Sequence, residues 1–153
     1  MFRNEGCDMG DFFQGKDERI VDGTRYTRYL DLDKWYGIVV PKDENAYNEM
    51  CDYKVWDDNK GDIRDIYWFM KFHEDKFYLM EKYLFNIIDA ECNLLINMYE
   101  EEWIEGDNLK KTLEITDRMI NNSDNVEFLE LAKEFRNLVL KAIEVNTCVG
   151  CFF

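Results

Sequence analysis

The chain has 153 residues, with 33 Asp and Glu against 19 Lys and Arg, giving a formal charge of −14. Its 46% hydrophobic and 16% aromatic residues supply enough apolar surface for a core, which excludes an acidic disordered tail. The same charge balance excludes a nucleic-acid binder that works by neutralising phosphates, because that needs clustered Lys and Arg.

Residues 1–33 are mixed in charge, contain glycines and carry only short apolar runs, so they predict a loosely structured N-terminal arm. Residues 35–40, Trp-Tyr-Gly-Ile-Val-Val, are aromatic and β-branched and predict a strand stopped by Pro41, with Gly37 as a candidate bulge. A short helix is expected within 43–57, followed by a polar loop at 57–61. From Asp62 two readings stand side by side. Residues 66–80 form either an aromatic hairpin turning at 73–76, or parts of two helices. In the helical reading Asp62 caps the first helix, and the second begins near Glu74. Its stripe of Phe77, Met80, Leu84, Ile88, Cys92, Leu95 and Tyr99 carries it through residue 103, where Gly106 stops it. Asp107 is then expected to cap a helix burying Leu109, Leu113, Thr116 and Ile120. Ser123 or Asp124 caps another running to about Asn146, with Phe128, Leu131, Ala132, Phe135, Leu138, Val139, Ala142 and Ile143 inward. Short loops make successive helices antiparallel neighbours. The expected fold is mainly α in a single domain, 1–153: a C-terminal antiparallel helical bundle with a small β element near 35–40. The alternative is an α+β fold with the aromatic hairpin at 66–80.

The first residues show no signal-peptide pattern, and every apolar stretch is interrupted by charge before reaching membrane-spanning length, so a soluble, cytoplasmic protein without membrane association is expected. Five scattered cysteines are an odd number and predict free thiols. Cys148 and Cys151 form a Cys-x-x-Cys pair, but it follows a helix instead of preceding one, so the helix dipole does not activate a thiol there. A zinc site lacks its remaining ligands, since His73 is the one histidine. Gly10 to Lys16 matches the first seven positions of a phosphate loop, yet Asp17 stands where a Ser or Thr must bind magnesium. Asp57, Asn59 and Gly61 imitate a calcium loop, but Asp62 and Trp68 occupy the positions that require Gly and Glu. Asp31 and Asp33 are read as a solvated turn. His73 is read as a helix-cap or turn residue. No catalytic residue, metal ligand or cofactor site emerges, and the chain is not expected to be an enzyme.

What remains is electrostatic. From Tyr83 through Leu109 there is no Lys, Arg or His, while Asp89, Glu91, Glu100, Glu101, Glu102, Glu105 and Asp107 supply half of the net charge. Acids on an outer face keep a protein soluble and require no partner. Two features point beyond that: the expected helix places the glutamates near its C-terminus, where the macrodipole disfavours them, and no lysines relieve the repulsion. Asp52, Asp57, Asp58 and Asp62 form a second cluster beside Trp56. The candidate partner-binding residues are therefore Glu100, Glu101, Glu102, Glu105, Asp107, Asp52, Asp57, Asp58 and Asp62, with Trp103 and Trp56 as aromatic anchors for a basic protein partner.

In its size, its charge, these two clusters and its helical C-terminal half, the chain resembles the small acidic immunity proteins of bacterial polymorphic-toxin and contact-dependent inhibition systems. The resemblance implies a cytoplasmic, cofactor-free inhibitor that binds one cognate toxin domain, often a basic nuclease, and occludes its active site. Two other classes of function stand beside it: a non-catalytic helical adaptor or oligomeric protein, and a metal hydrolase using paired carboxylates.

Overall fold

A computed structural model describes residues 19–21, 24–26, 36–51, 66–97 and 101–153. Within the expected N-terminal arm, β1 (Arg19–Val21) and β2 (Thr24–Tyr26) pair antiparallel, Ile20 opposite Arg25. The rest of 1–33 lies outside the described residues.

The architecture is α+β, a correction to the expected mainly-α bundle; the alternative had this class but not this sheet. Four strands, β3 (Tyr36–Pro41), β4 (Tyr67–Phe72), β5 (Glu101–Glu105) and β6 (Cys148–Phe152), form one antiparallel sheet in the order β4-β3-β6-β5. The sheet is a main layer of the fold, not a small element near 35–40. β3 begins and ends within one residue of the expected strand. Gly37 makes no bulge, because it stands opposite Lys71 on one side and Phe152 on the other in unbroken register.

Side chains alternate across each strand and so divide between two apolar clusters. Ile38, Val40, Met70, Ile104, Val149 and Cys151 enter the larger one, beneath the long helices. Val39, Tyr67, Cys148 and Phe152 enter the smaller one, with Ala46 and Met50 of α1 (Glu44–Cys51). Tyr67 donates its hydroxyl to the Ala46 carbonyl at 3.2 Å, fixing α1 to the sheet. Every residue of β6 is buried, as expected for a strand covered on both faces.

Residues 66–80 take one half of each reading: the first strand of the expected hairpin runs directly into the helix expected from Glu74, so there is neither a hairpin nor a first helix. β4 pairs with β3 through Ile38–Met70 and Val40–Trp68. His73 then takes an extended conformation (φ −83, ψ 172) at the N-cap, where its carbonyl accepts the amides of Lys76 and Phe77. Glu74 and Asp75 occupy the first turn of α2 (Glu74–Met80), where negative charge is favourable. A π-helical turn (Glu81–Phe85) joins α2 to α3 (Asn86–Cys92), and the continuous helix buries Phe77, Met80, Leu84, Phe85, Ile88 and Cys92. It stops at Cys92 instead of continuing to 103. Asn93 adopts the left-handed conformation (φ 58, ψ 48), which asparagine tolerates, and the Leu94 amide turns back to the Asp89 carbonyl. Leu95, expected in the stripe, is 50% exposed, and Tyr99 lies outside the described residues.

Gly106, at φ +60 and ψ −135, is the N-cap of α4 (Asp107–Asn121), so Asp107 is the first helical residue and not the cap. A residue with a Cβ is strained in that conformation. α4 buries Leu109, Thr112, Ile115 and Thr116, while Leu113 and Ile120 are half-buried at its margin. Asn125, not Ser123 or Asp124, caps α5 (Val126–Val145) by accepting the Phe128 amide at 2.9 Å; the Ser123 hydroxyl accepts the Asn125 amide. The α5 stripe of Phe128, Ala132, Phe135, Leu138, Val139 and Ala142 is buried as expected. Asn146 (φ 61) ends α5, and the Thr147 hydroxyl donates to the Pro41 carbonyl at 2.8 Å, steering the chain into β6. Phe153, just beyond β6, packs its ring 4.7 Å from Phe77 and 5.7 Å from Phe85.

β6 has little room at its centre. A Cβ on Gly150 would lie 2.9 Å from Met50 Sδ and 3.1 Å from Phe152 Cε2, with Met50 itself fully buried. Gly150→Val is therefore expected to lose about 1–3 kcal/mol of stability, the usual cost of overpacking a filled core. A urea melt with an unshifted midpoint would contradict this packing.

Candidate functional site

The acidic cluster lies on a strand, not on the last turns of a helix. β5 pairs with β6 alone among the described strands, which makes it an edge of the four-stranded sheet. Glu101, Trp103 and Glu105 alternate onto the face shared with α1, whereas Glu102 and Ile104 point toward the long helices. Glu101 and Glu105 are exposed, Trp103 is half-buried, and Ile104 is fully buried. Asp107 is exposed in the first turn of α4, where the helix dipole favours it. The expectation that these acids oppose a helix dipole is thereby corrected: Glu101, Glu102 and Glu105 lie on a strand and Asp107 at a helix N-terminus. A charged edge strand also resists pairing with strands of other chains, which is a structural use for the same residues.

Each described acid has its own surroundings. Glu105 accepts the Tyr47 hydroxyl of α1. Trp103 packs its ring 5.2 Å from that of Phe152. Burial pushes the Glu101 carboxyl above its ordinary value. Glu102 accepts the Leu95 amide at 2.9 Å with one oxygen and the Trp103 amide at 3.2 Å with the other, so it is spent on the backbone. Asp89 turns inward and accepts the Ile96 amide at 2.8 Å. Burial, with Glu102 and Glu81 nearby, pushes Asp89 up to about 6 against the opposing effect of that hydrogen bond. Glu91 is bound at 2.5 Å by Arg118 of α4. The other described ion pairs, Lys76–Glu127 and Arg136–Asp117, join helices elsewhere. Among the described residues no Lys or Arg forms an ion pair with Glu101, Glu102, Glu105 or Asp107.

The structure thus gathers Glu101, Trp103 and Glu105 on one side of β5, with Asp107 just beyond the strand, and separates Glu102 from them. Glu100, Asp52, Trp56, Asp57, Asp58 and Asp62 lie outside the described residues. Sequence reasoning did not single out Tyr47, which binds Glu105 from a different element, or the inward role of Asp89. No local signal marks that role: a helix C-terminus leaves carbonyls, not amides, unpaired, and Ile96 lies beyond the end of α3.

Cys148 and Cys151 are each buried, but three residues apart on a strand they face opposite sides of the sheet, one in each apolar cluster. One metal ion or one disulfide cannot join them while β6 is intact. Burial pushes the Cys151 thiol up, with Glu102 and Asp89 adding to the effect. Among the described residues no three His, Cys, Asp or Glu side chains converge as a metal site requires. A cavity of about 280 Å³ lies beside the α4–α5 turn, lined by Tyr83, Met119, Asn122, Asp124 and Phe128 among others; none of the candidate acids borders it.

No protein-family model, no curated protein and no solved structure matches the chain.

The buried thiols give a direct check. Iodoacetamide applied to the native protein is expected to leave Cys92, Cys148 and Cys151 unmodified, with all three labelled after denaturation. Rapid native labelling of Cys148 or Cys151, read by mass spectrometry, would show that β6 is not held as described.

Proposed function

We propose that this chain is a non-catalytic binding protein of the immunity type, working in the cytoplasm, whose β5 edge meets the basic surface of a toxin domain. The observation that carries this reading is the side of β5 bearing Glu101, Trp103 and Glu105. It presents two exposed carboxylates about a half-buried indole, and no described Lys or Arg is ion-paired to either carboxylate. Unrelieved negative charge accelerates encounter with a cationic protein, and an aromatic side chain flanked by it supplies an anchor once the surfaces meet. Asp107 extends the same negative field past the end of the strand. Arg118, by contrast, is committed to Glu91 on the helical layer, so neutralisation is local to that layer. No helix among the described residues is long and apolar enough to cross a membrane. In this reading the acidic edge stands in for nucleic-acid phosphates or walls off the toxin's active site.

The test mixes the full chain with any basic toxin-like domain found encoded in a neighbouring reading frame and follows association by stopped flow. A tight complex is expected, with an on-rate that falls at least roughly tenfold as salt is raised through the physiological range. Glu101→Lys combined with Glu105→Gln, which keeps an acceptor for Tyr47, should slow association while leaving stability within about 0.5 kcal/mol. A salt-insensitive on-rate, or a double variant that binds like the parent, would remove β5 from the interface.

A further inference from the structure

The cavity of about 280 Å³ at the α4–α5 turn has an apolar floor and a polar rim. Phe128 is fully buried in its lining, the Tyr83 ring stands 5.3 Å from that of Phe128, and Met119 is half-buried. Asn122 and Asp124 line the same space and are exposed. Tyr83 comes from the π-helical turn, a geometry that is rare within helices and frequent at functional sites. Two helix ends of opposite polarity meet here, the C-terminus of α4 and the N-terminus of α5. The donors of the α5 end are engaged from inside the chain: Asn125 accepts the Phe128 amide, and Ser123 accepts the Asn125 amide. Asp124 then adds a full negative charge, and among the described residues its carboxylate forms no ion pair. Of the cations on the bordering helices, Arg118 is held by Glu91 and Lys76 by Glu127. Lys82 places its ammonium 5.3 Å over the Tyr83 ring, so that ring already attracts a cation of the chain itself.

We infer that this cavity binds a small organic cation, an ammonium group carried on a short apolar stem. The ammonium is drawn to the Asp124 carboxylate and to the negative end of α4, while the stem leaves water against Tyr83, Phe128 and Met119. An anion would meet Asp124 and find the Asn125 and Phe128 amides already taken. A neutral ligand of the same shape would gain the apolar contact but not the charge. The volume lies at the lower end of small-molecule sites, roughly 300–1,000 Å³, and so suits a single-ring amine better than a nucleotide. The 15 residues of α4 separate this site from Asp107 and the β5 edge by roughly 20 Å at the usual rise of a helix, which makes it independent of toxin docking.

The test needs no partner protein. Phenethylammonium is titrated into the full chain and followed by amide and methionine-methyl NMR, with phenethyl alcohol as the neutral counterpart. Saturable shifts are expected at the Met119 methyl and at the amides of residues 122–125, with a dissociation constant of about 1 mM. The alcohol should bind at least about threefold more weakly, and Asp124→Asn should weaken the amine by a similar factor, as expected for a solvent-screened charge pair. Glu114→Gln removes the same charge from an exposed position of α4 outside the cavity and should leave the affinity unchanged. Lys82→Gln removes a like charge beside Tyr83 and should not weaken binding. No saturation by about 20 mM amine, well above the expected dissociation constant, would overturn the inference. So would equal affinity for the alcohol, a Glu114→Gln loss that matches that of Asp124→Asn, or shifts confined to Glu101–Asp107. The comparison of amine with alcohol uses the parent chain alone and decides the matter even where a variant misfolds.

Discussion

The C-terminal strand is the member on which the sheet depends. β6 bonds to β3 through Ile38–Cys151 and Val39–Gly150, and to β5 through all five residues from Glu101 to Glu105. It is also sandwiched, with Val149 and Cys151 under the long helices and Cys148 and Phe152 against α1. A strand that fills the middle of a sheet and touches both apolar clusters must be in place before either cluster is complete. The preceding turn shows how it is placed: Asn146 reverses α5 and Thr147 grips the Pro41 carbonyl, more than a hundred residues back along the chain. β5, the acidic strand, is bonded into the sheet by β6 alone among the described strands.

That dependence gives the acids a physical setting their number alone does not supply. Negative charge is cheapest where water screens it, and an edge strand offers exposure on its outer side. Glu101 and Glu105 use that exposure. Glu102, one residue along, faces the helical layer and instead satisfies two backbone amides. Asp89 satisfies one more, that of Ile96, from α3, at the cost of a carboxyl that ionises late. One run of acids is thus divided between surface charge and backbone capping by nothing more than the two-residue period of a strand.

The helical layer was the most legible part of the sequence. Phe128, Ala132, Phe135, Leu138, Val139 and Ala142 repeat at three and four residues and are buried. From Phe77 to Cys92 the stripe keeps helical spacing too, but Phe77–Met80 suits an aromatic hairpin as well, and the end of the helix is not marked. Apolar residues at helical spacing continue past Asn93, and only the left-handed backbone there shows that the helix has stopped. β4 was ambiguous because Tyr-Trp-Phe-Met-Lys-Phe suits a strand or a buried helix turn equally, and pairing with β3 decides between them.

The sequence by itself determined the excess of acid, the strand near 35–40, the helix around Phe135, and the lack of cationic relief around Glu101–Asp107. Only tertiary structure made β6 a strand. Cys-Val-Gly-Cys-Phe is covered on both faces and so has no polar alternation to announce it. Tertiary structure likewise decided which acids share a side, because strand pairing with β6, not the order of residues, sets Glu101 and Glu105 beside Trp103 and turns Glu102 away.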